Sequence, residues 1–138
     1  MQYYSTNQNA PLSNLKDAVI RGLAPDKGLY MPKEIPHLPA SFFTELPQMN
    51  LSEIGFRVAM SLFGDDVEKT ALEKITKETL NFEIPLVQLQ ENIFSLELFH
   101  GPTCAFKDVG GRFMARMIAY FKQTETKDNY VLTATSEI

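Results

Sequence analysis

From Leu15 to Leu80 the apolar residues recur mostly at helical spacing. From Leu86 to Phe99 they come in two short runs, and from Val109 the helical spacing returns. Leu15, Ala18 and Val19 predict a helix that Ser13 caps and Gly22 stops. Gly28, Leu29, Tyr30 and Met31 form a short apolar run closed by Pro32. Pro36 and Pro39 punctuate a loop from Ile35 to Ala40. A second helix starts at Asn50 or Ser52, carries Ile54, Val58 and Leu62 on one face, and ends at Gly64. Asp66 is the expected cap of a third, with Val67, Ala71 and Ile75 apolar. Its Lys69–Glu73 and Lys74–Glu78 pairs are spaced i, i+4, each worth only tenths of a kcal/mol. There is no internal repeat and no low-complexity tract.

Leu86–Gln90 and Ile93–Phe99 read as β-like runs separated by the polar Glu91-Asn92, and Gly101-Pro102 turns the chain. From Asp108 onward Val109, Phe113, Met117 and Phe121 give an i, i+4 apolar stripe, with Arg112, Arg116 and Lys122 between them on the expected solvated face. Tyr130–Thr135 reads as a buried strand. Strand, turn, helix, strand is the β-α-β order of an open parallel sheet. Ligands of such sheets sit beyond the carboxyl ends of the strands. Lys107, Thr133, Thr135 and Ser136 all fall near that edge. The chain thus divides into a mostly helical 1–82 and an α/β region, 83–138.

Lys107 is the residue with the most chemistry in its position. It stands just after a Gly-Pro turn at a helix mouth, where the partial positive charge favours Asp or Glu. An ammonium there is disfavoured, more so if buried, and a lysine that releases its proton easily suits Schiff-base chemistry. The apolar Phe99, Ala105 and Phe106 predict that the segment is packed rather than solvated. Asp108 is read as the favourable dipole partner at the helix start. Gly110-Gly111 weakens a helix by about 1 kcal/mol per residue relative to Ala, so a ligand or a neighbouring strand is expected to approach there. Asp26-Lys27-Gly28 is read as a turn, His100 as a structural hydrogen-bonding residue, and Cys104 as a small buried hydrophobe.

Composition narrows the field. Apolar residues make up 44% and charged residues 22%, as in an ordinary globular protein. A net charge of −4 with no basic cluster argues against nucleic acid and anionic membranes as partners. The single cysteine gives no internal disulfide and no metal framework, so no metal site is expected. No apolar run approaches a membrane span. The start, MQYYSTNQNAP, lacks the regions of a signal peptide, and a cytoplasmic setting is expected.

The string ELFHGPTCAFKDVGGRFMARM resembles the lysine segment of threonine synthases, which are pyridoxal-phosphate enzymes of fold type II. The front, YYSTNQNAP and LKDAVIRGLAPDKGLYMPKEIP, resembles their amino-terminal region, and YVLTATS resembles the next family block. The resemblance implies a helical amino-terminal domain, 1–82, followed by the beginning of a pyridoxal-phosphate domain with an open sheet and flanking helices, 83–138. It implies the cofactor pyridoxal phosphate, held covalently by Lys107 beside Phe106. It implies the substrate O-phosphohomoserine, converted with water to threonine and phosphate. Thr133, Thr135 and Ser136 are implied as donors to the substrate carboxylate. There are departures from the family pattern. Ser136-Glu137-Ile138 stands where the family continues Gly-Asp-Thr-Gly, Ser5-Thr6-Asn7-Gln8 where it often has Ser-Thr-Arg-Gly, and Cys104 where a larger aliphatic residue is common. The chain is therefore expected to be the first part of a longer enzyme and inert alone.

Two other readings stay open on the sequence. His100 and Cys104 are four apart, and a helix mouth can lower a thiol pKa, which suits a cysteine-dependent hydrolase. The helical front half suits a non-catalytic oligomerisation or binding module.

Overall fold

The computed structural model describes residues 1–123. The predicted strand at Tyr130–Thr135, with Thr133, Thr135 and Ser136, lies outside the described residues. The order is β1 (Tyr3–Ser5), α1 (Leu15–Arg21), β2 (Tyr30–Pro32), α2 (Ala40–Glu45), a 3₁₀ turn (Leu46–Gln48), α3 (Leu51–Phe63), α4 (Lys69–Thr79), β3 (Leu86–Gln90), β4 (Ile93–Leu96) and α5 (Lys107–Lys122). β1 and β2 form an antiparallel pair with Tyr4 opposite Met31, and β3 and β4 form a second with Val87 opposite Ser95.

Helix starts follow the side chain that can reach the free N–H groups. α1 is capped by Asn14, which accepts from the Asp17 N–H at 2.8 Å. Ser13 is instead held by Tyr3, exchanging backbone hydrogen bonds of 2.9 Å in both directions. Gly22 stops the helix at φ 71°, a left-handed conformation that glycine adopts without steric cost. Between the two candidate starts of α3, Asn50 is the cap. It forms a reciprocal capping box with Glu53. Asp66 does not cap α4, which begins two residues after Val67 with no side-chain cap. Its carboxylate lies 2.9 Å from the Met1 ammonium, and an opposite charge outcompetes a backbone N–H. β1, α2 and the 3₁₀ turn were not legible in the apolar pattern, because three to six residues show too little of either period.

The core joins the first strand to the last described helix. Tyr3, Leu15, Ala18, Ala59, Val67, Leu72, Ile75 and Met117 form one buried cluster. Phe113, Tyr120 and Phe121 pack against it, and the rings of Phe63 and Phe113 are 5.7 Å apart. The α5 stripe thus behaves as its spacing predicts. In α3 the buried residue is Ala59, while Ile54, Val58 and Leu62 stay half-buried along a groove. That helix is apolar on two sides, which a one-face reading hides. Gly55 lets α3 and α4 approach: a Cβ there would collide with the Leu80 side chain.

Arg112 and Arg116 are not a solvated face. Arg112 Nη2 donates to the Glu78 carbonyl at 2.7 Å, near the end of α4, and its guanidinium lies 5.4 Å from the Phe82 ring centroid. Arg116 Nε meets the Glu78 carboxylate at 3.1 Å. Unfilled carbonyls at a helix end attract cations, and this draws both arginines to α4.

Two substitutions should move stability in opposite directions. Leu72 has no exposed surface, so Leu72→Ala is expected to lose about 2–5 kcal/mol. A Cβ at exposed Gly111 meets nothing within 4 Å, so Gly111→Ala is expected to gain about 1 kcal/mol. Urea denaturation of the isolated chain measures both.

Candidate functional site

The segment from Glu97 to Asp108 is built around one carboxylate. Asp108 is buried, in the first turn of α5. Its Oδ2 accepts the Thr103 N–H at 2.8 Å, and its Oδ1 accepts the Thr103 hydroxyl at 2.9 Å. The Asp108 N–H donates to the Ala105 carbonyl at 3.0 Å, and the Cys104 N–H to that of Gly101 at 3.1 Å. Gly101 is required by this packing: a Cβ there would lie 2.5 Å from Asp108 Oδ2. Burial pushes the Asp108 carboxyl up, but the hydrogen bonds from Thr103, the backbone of Ala105 and the charge of Arg112 outweigh it. The net result is a carboxyl held below the ordinary range. Asp108 is thus more than a dipole partner: it pins the loop that delivers the chain to Lys107. Thr103 and Gly101 were missed as its partners, although a threonine five residues before a helix-start aspartate was visible.

Lys107 is the first residue of α5. Among the described residues its side chain is exposed, with Nζ 5.9 Å from the centroid of the Phe106 ring. The expected packing of this segment is not met. Phe99 is 50% and Phe106 65% exposed among the described residues. Only Ala105 is half-buried. Lys107 and Phe106 are therefore brought together on an open, partly aromatic surface, whereas Thr133, Thr135 and Ser136 lie outside the described residues. Gly110 and Gly111 are also exposed, with no atom within 4 Å of a Cβ built on either, so the close approach expected there is absent among the described residues.

The neighbouring polar residues do not form a hydrolytic pair. His100 Nε2 is 2.7 Å from the Glu97 carboxylate, and its ring stacks on Phe99 at 4.6 Å. Glu97 is an orienting partner that the sequence did not reveal, and it holds the histidine in the structural role expected of it. Cys104 is exposed rather than buried, at φ 55°. Its backbone must turn left-handed so that the next residues can reach Asp108. Among the described residues no hydrogen bond joins His100 to Cys104. No group of three or more metal-ligating side chains occurs among the described residues either.

The front of the chain carries a second pinned turn. The Asp26 carboxylate accepts the Ser5 hydroxyl at 2.6 Å, the Asn9 N–H at 2.9 Å and the Gly28 N–H at 3.1 Å. The Ser5 hydroxyl, despite opposing burial and with help from those backbone donors, holds the carboxyl below its usual range. Asp26-Lys27-Gly28 is a turn, as read, with Lys27 at φ 66°. Gln8 is left-handed as well, at φ 59°, where the resembled pattern places a glycine.

A family model described as "Threonine synthase N terminus" matches residues 2–80, more than half of the chain. The chain belongs to the threonine synthase family. Threonine synthase of Buchnera aphidicola subsp. Baizongia pistaciae is 34% identical over 137 residues, covering 99% of this chain and 32% of that protein. The crystal structure of pyridoxal-phosphate-bound threonine synthase from Brucella melitensis matches with a TM-score of 0.82 and 38% identity, over 88% of this chain and 27% of that one. Escherichia coli threonine synthase matches with a TM-score of 0.81 and 30% identity, over 88% and 28%. The fold is thus the mixed helix and small-sheet arrangement of the amino-terminal region of the family. The chain spans 27–32% of the length of these relatives. No described helix is long and apolar enough to cross a membrane.

The Asp108 clamp should report itself in acid. Its carboxyl titrates lower in the folded than in the unfolded chain. Its contribution is therefore complete above the unfolded value, about 3.9, and fades as pH falls through the depressed folded value. Asp108→Asn is expected to lower the urea midpoint near neutral pH, with a deficit that closes below about pH 3.9. A deficit constant across that range would show that charge is not its cause.

Proposed function

We propose that this chain is the first part of a threonine synthase that converts O-phosphohomoserine and water to threonine and phosphate, with Lys107 as the lysine that holds pyridoxal phosphate. One observation carries the reading. The family's lysine string is presented at the first residue of α5, with the amine exposed beside Phe106 and its approach loop pinned by Asp108. An exposed amine next to an aromatic face fits the aldehyde and the flat ring of that cofactor. A cradle for the phosphate is assigned to later sequence. The division into a helical 1–82 and the start of the cofactor domain at 83–138 is part of the proposal, as are a cytoplasmic setting and a small-molecule partner.

When bound, pyridoxal phosphate supplies an electron sink for the substrate's carbon skeleton. Lys107 Nζ would hold it, and the same amine would be the group that moves protons between substrate carbons. Asp108 does not face the reaction; its two accepted hydrogen bonds fix where Lys107 starts. The Phe106 ring lies beside the amine, its centroid 5.9 Å from Nζ. Thr133, Thr135 and Ser136 are proposed to donate to the substrate carboxylate.

Exchanging the matching first part of Escherichia coli threonine synthase for this chain gives the test. The hybrid is expected to hold pyridoxal phosphate on Lys107, seen by borohydride reduction and peptide mass, and to form threonine. Lys107→Ala is expected to lose the adduct and to slow threonine formation by roughly 10³-fold or more, the scale seen when a covalent catalytic group is removed. Threonine formed at an undiminished rate would end the assignment. By itself, the 138-residue chain with pyridoxal phosphate is expected to release no phosphate from O-phosphohomoserine.

A further inference from the structure

The loop before α5 closes on itself. A Cβ built on Gly101 would lie 2.8 Å from the Asp108 Cβ, so these two residues touch at its neck. His100 and Lys107 each stand one residue before a member of that contact, about 3.8 Å of chain away. Closure of the loop therefore brings the two nitrogen bases of this segment to one neck, although they are seven residues apart. Both are exposed. His100 is also oriented. Its Nε2 is 2.7 Å from Glu97 Oε2, and its ring is stacked on Phe99. Glu97 is in turn fixed to the hairpin, its N–H donating to the Pro85 carbonyl at 3.0 Å. The pair adds little to stability, because its side chains are 38% and 23% exposed and water competes for them. What it does fix is which ring nitrogen stays available. Among the described residues Nδ1 has no hydrogen-bond partner. A carboxylate on one ring nitrogen and an open second nitrogen is the arrangement of an imidazole that moves a proton. The carboxylate sets the tautomer and aims the ring.

We infer that His100 is a catalytic acid for the departing phosphate, with Glu97 as its positioning residue. The inference rests on the functional reading above for the substrate and for the role of Lys107. A phosphate monoester leaves badly as a trianion, so its bridging oxygen needs a proton as the bond to carbon breaks. The amine of Lys107 takes a proton from the β-carbon of the substrate, and that C–H electron pair becomes the Cβ–Cγ double bond. The Cγ–O bond breaks with its pair on the oxygen. Nδ1–H of protonated His100 gives that oxygen its proton, and hydrogen phosphate departs. The water that later adds at the β-carbon returns one proton to solvent, from which the ring is recharged. One amine cannot do both jobs. While the phosphate leaves, Lys107 holds the proton it has accepted, so a second group has to donate. His100 is the base that the closed loop sets beside it, with a free nitrogen.

The test uses the hybrid with the later part of Escherichia coli threonine synthase and follows two reactions. Phosphate release from O-phosphohomoserine needs both groups. Exchange of the α-hydrogen for deuterium needs Lys107 without His100 when nothing can leave. It is followed by NMR on the phosphonate analogue in which a methylene replaces the bridging oxygen. His100→Gln keeps a donor for Glu97 but has no proton to give. It is expected to slow phosphate release by roughly 10²-fold or more, with exchange within about threefold of the parent. Glu97→Gln is expected to slow release by about tenfold and to leave exchange unchanged. Both glutamine variants should keep the borohydride-reducible adduct on Lys107, and Lys107→Ala should lose adduct, exchange and release together. Undiminished release in His100→Gln overturns the proposal. So does a loss of release matched by an equal loss of exchange, which would leave His100 a role in structure or binding alone. Undiminished release in Glu97→Gln removes Glu97 from it. A parent hybrid without the adduct, or exchange that survives Lys107→Ala, sinks the functional reading instead.

Discussion

Burying Asp108 beneath the Gly101–Phe106 loop fixes both the start of α5 and the direction from which the chain reaches it. A carboxylate removed from water must be fully hydrogen-bonded, and here Thr103 supplies an N–H and a hydroxyl to its two oxygens. The demand propagates outward. Gly101 must lack a side chain, Cys104 must turn left-handed, and Lys107 is left as the first helical residue with its amine outside. A lysine placed against the helix charge is thus held there by the aspartate beside it.

The other end of α5 makes that placement rigid. Met117 is almost wholly buried among side chains from β1, α1, α3 and α4, and Arg112 and Arg116 fasten the middle of the helix to Glu78. The front region is therefore more than an appendage to the site. It supplies the socket in which the lysine-bearing helix is seated, with Leu72 and Met117 in one buried cluster.

The sequence disclosed the long elements well and the contacts between them poorly. Four-residue offsets fixed the α5 stripe and the face of α4, since a periodic signal over eleven or more residues is hard to mistake. The caps at Ser13 and Asp66 were misjudged because rival partners, Tyr3 and Met1, come from far along the chain. Arg112 and Arg116 read as solvated for the same reason: no local pattern reveals a helix end that arrives from residue 78. At the site, the lysine was legible through its flanking string. The exposure of Phe99, Cys104 and Phe106 was not, because apolarity predicts that a surface will be covered and is silent on which part of a polypeptide covers it.

The core's membership has a bearing on synthesis. Tyr3 is made well before Met117, yet both belong to one buried cluster. Contacts so far apart in sequence close late and slow the search for the native state. A nascent chain therefore cannot seal its interior until α5 has cleared the ribosome's exit tunnel. By then the loop before Lys107 has already emerged, so the amino end of the helix leaves the tunnel before the core it joins can close.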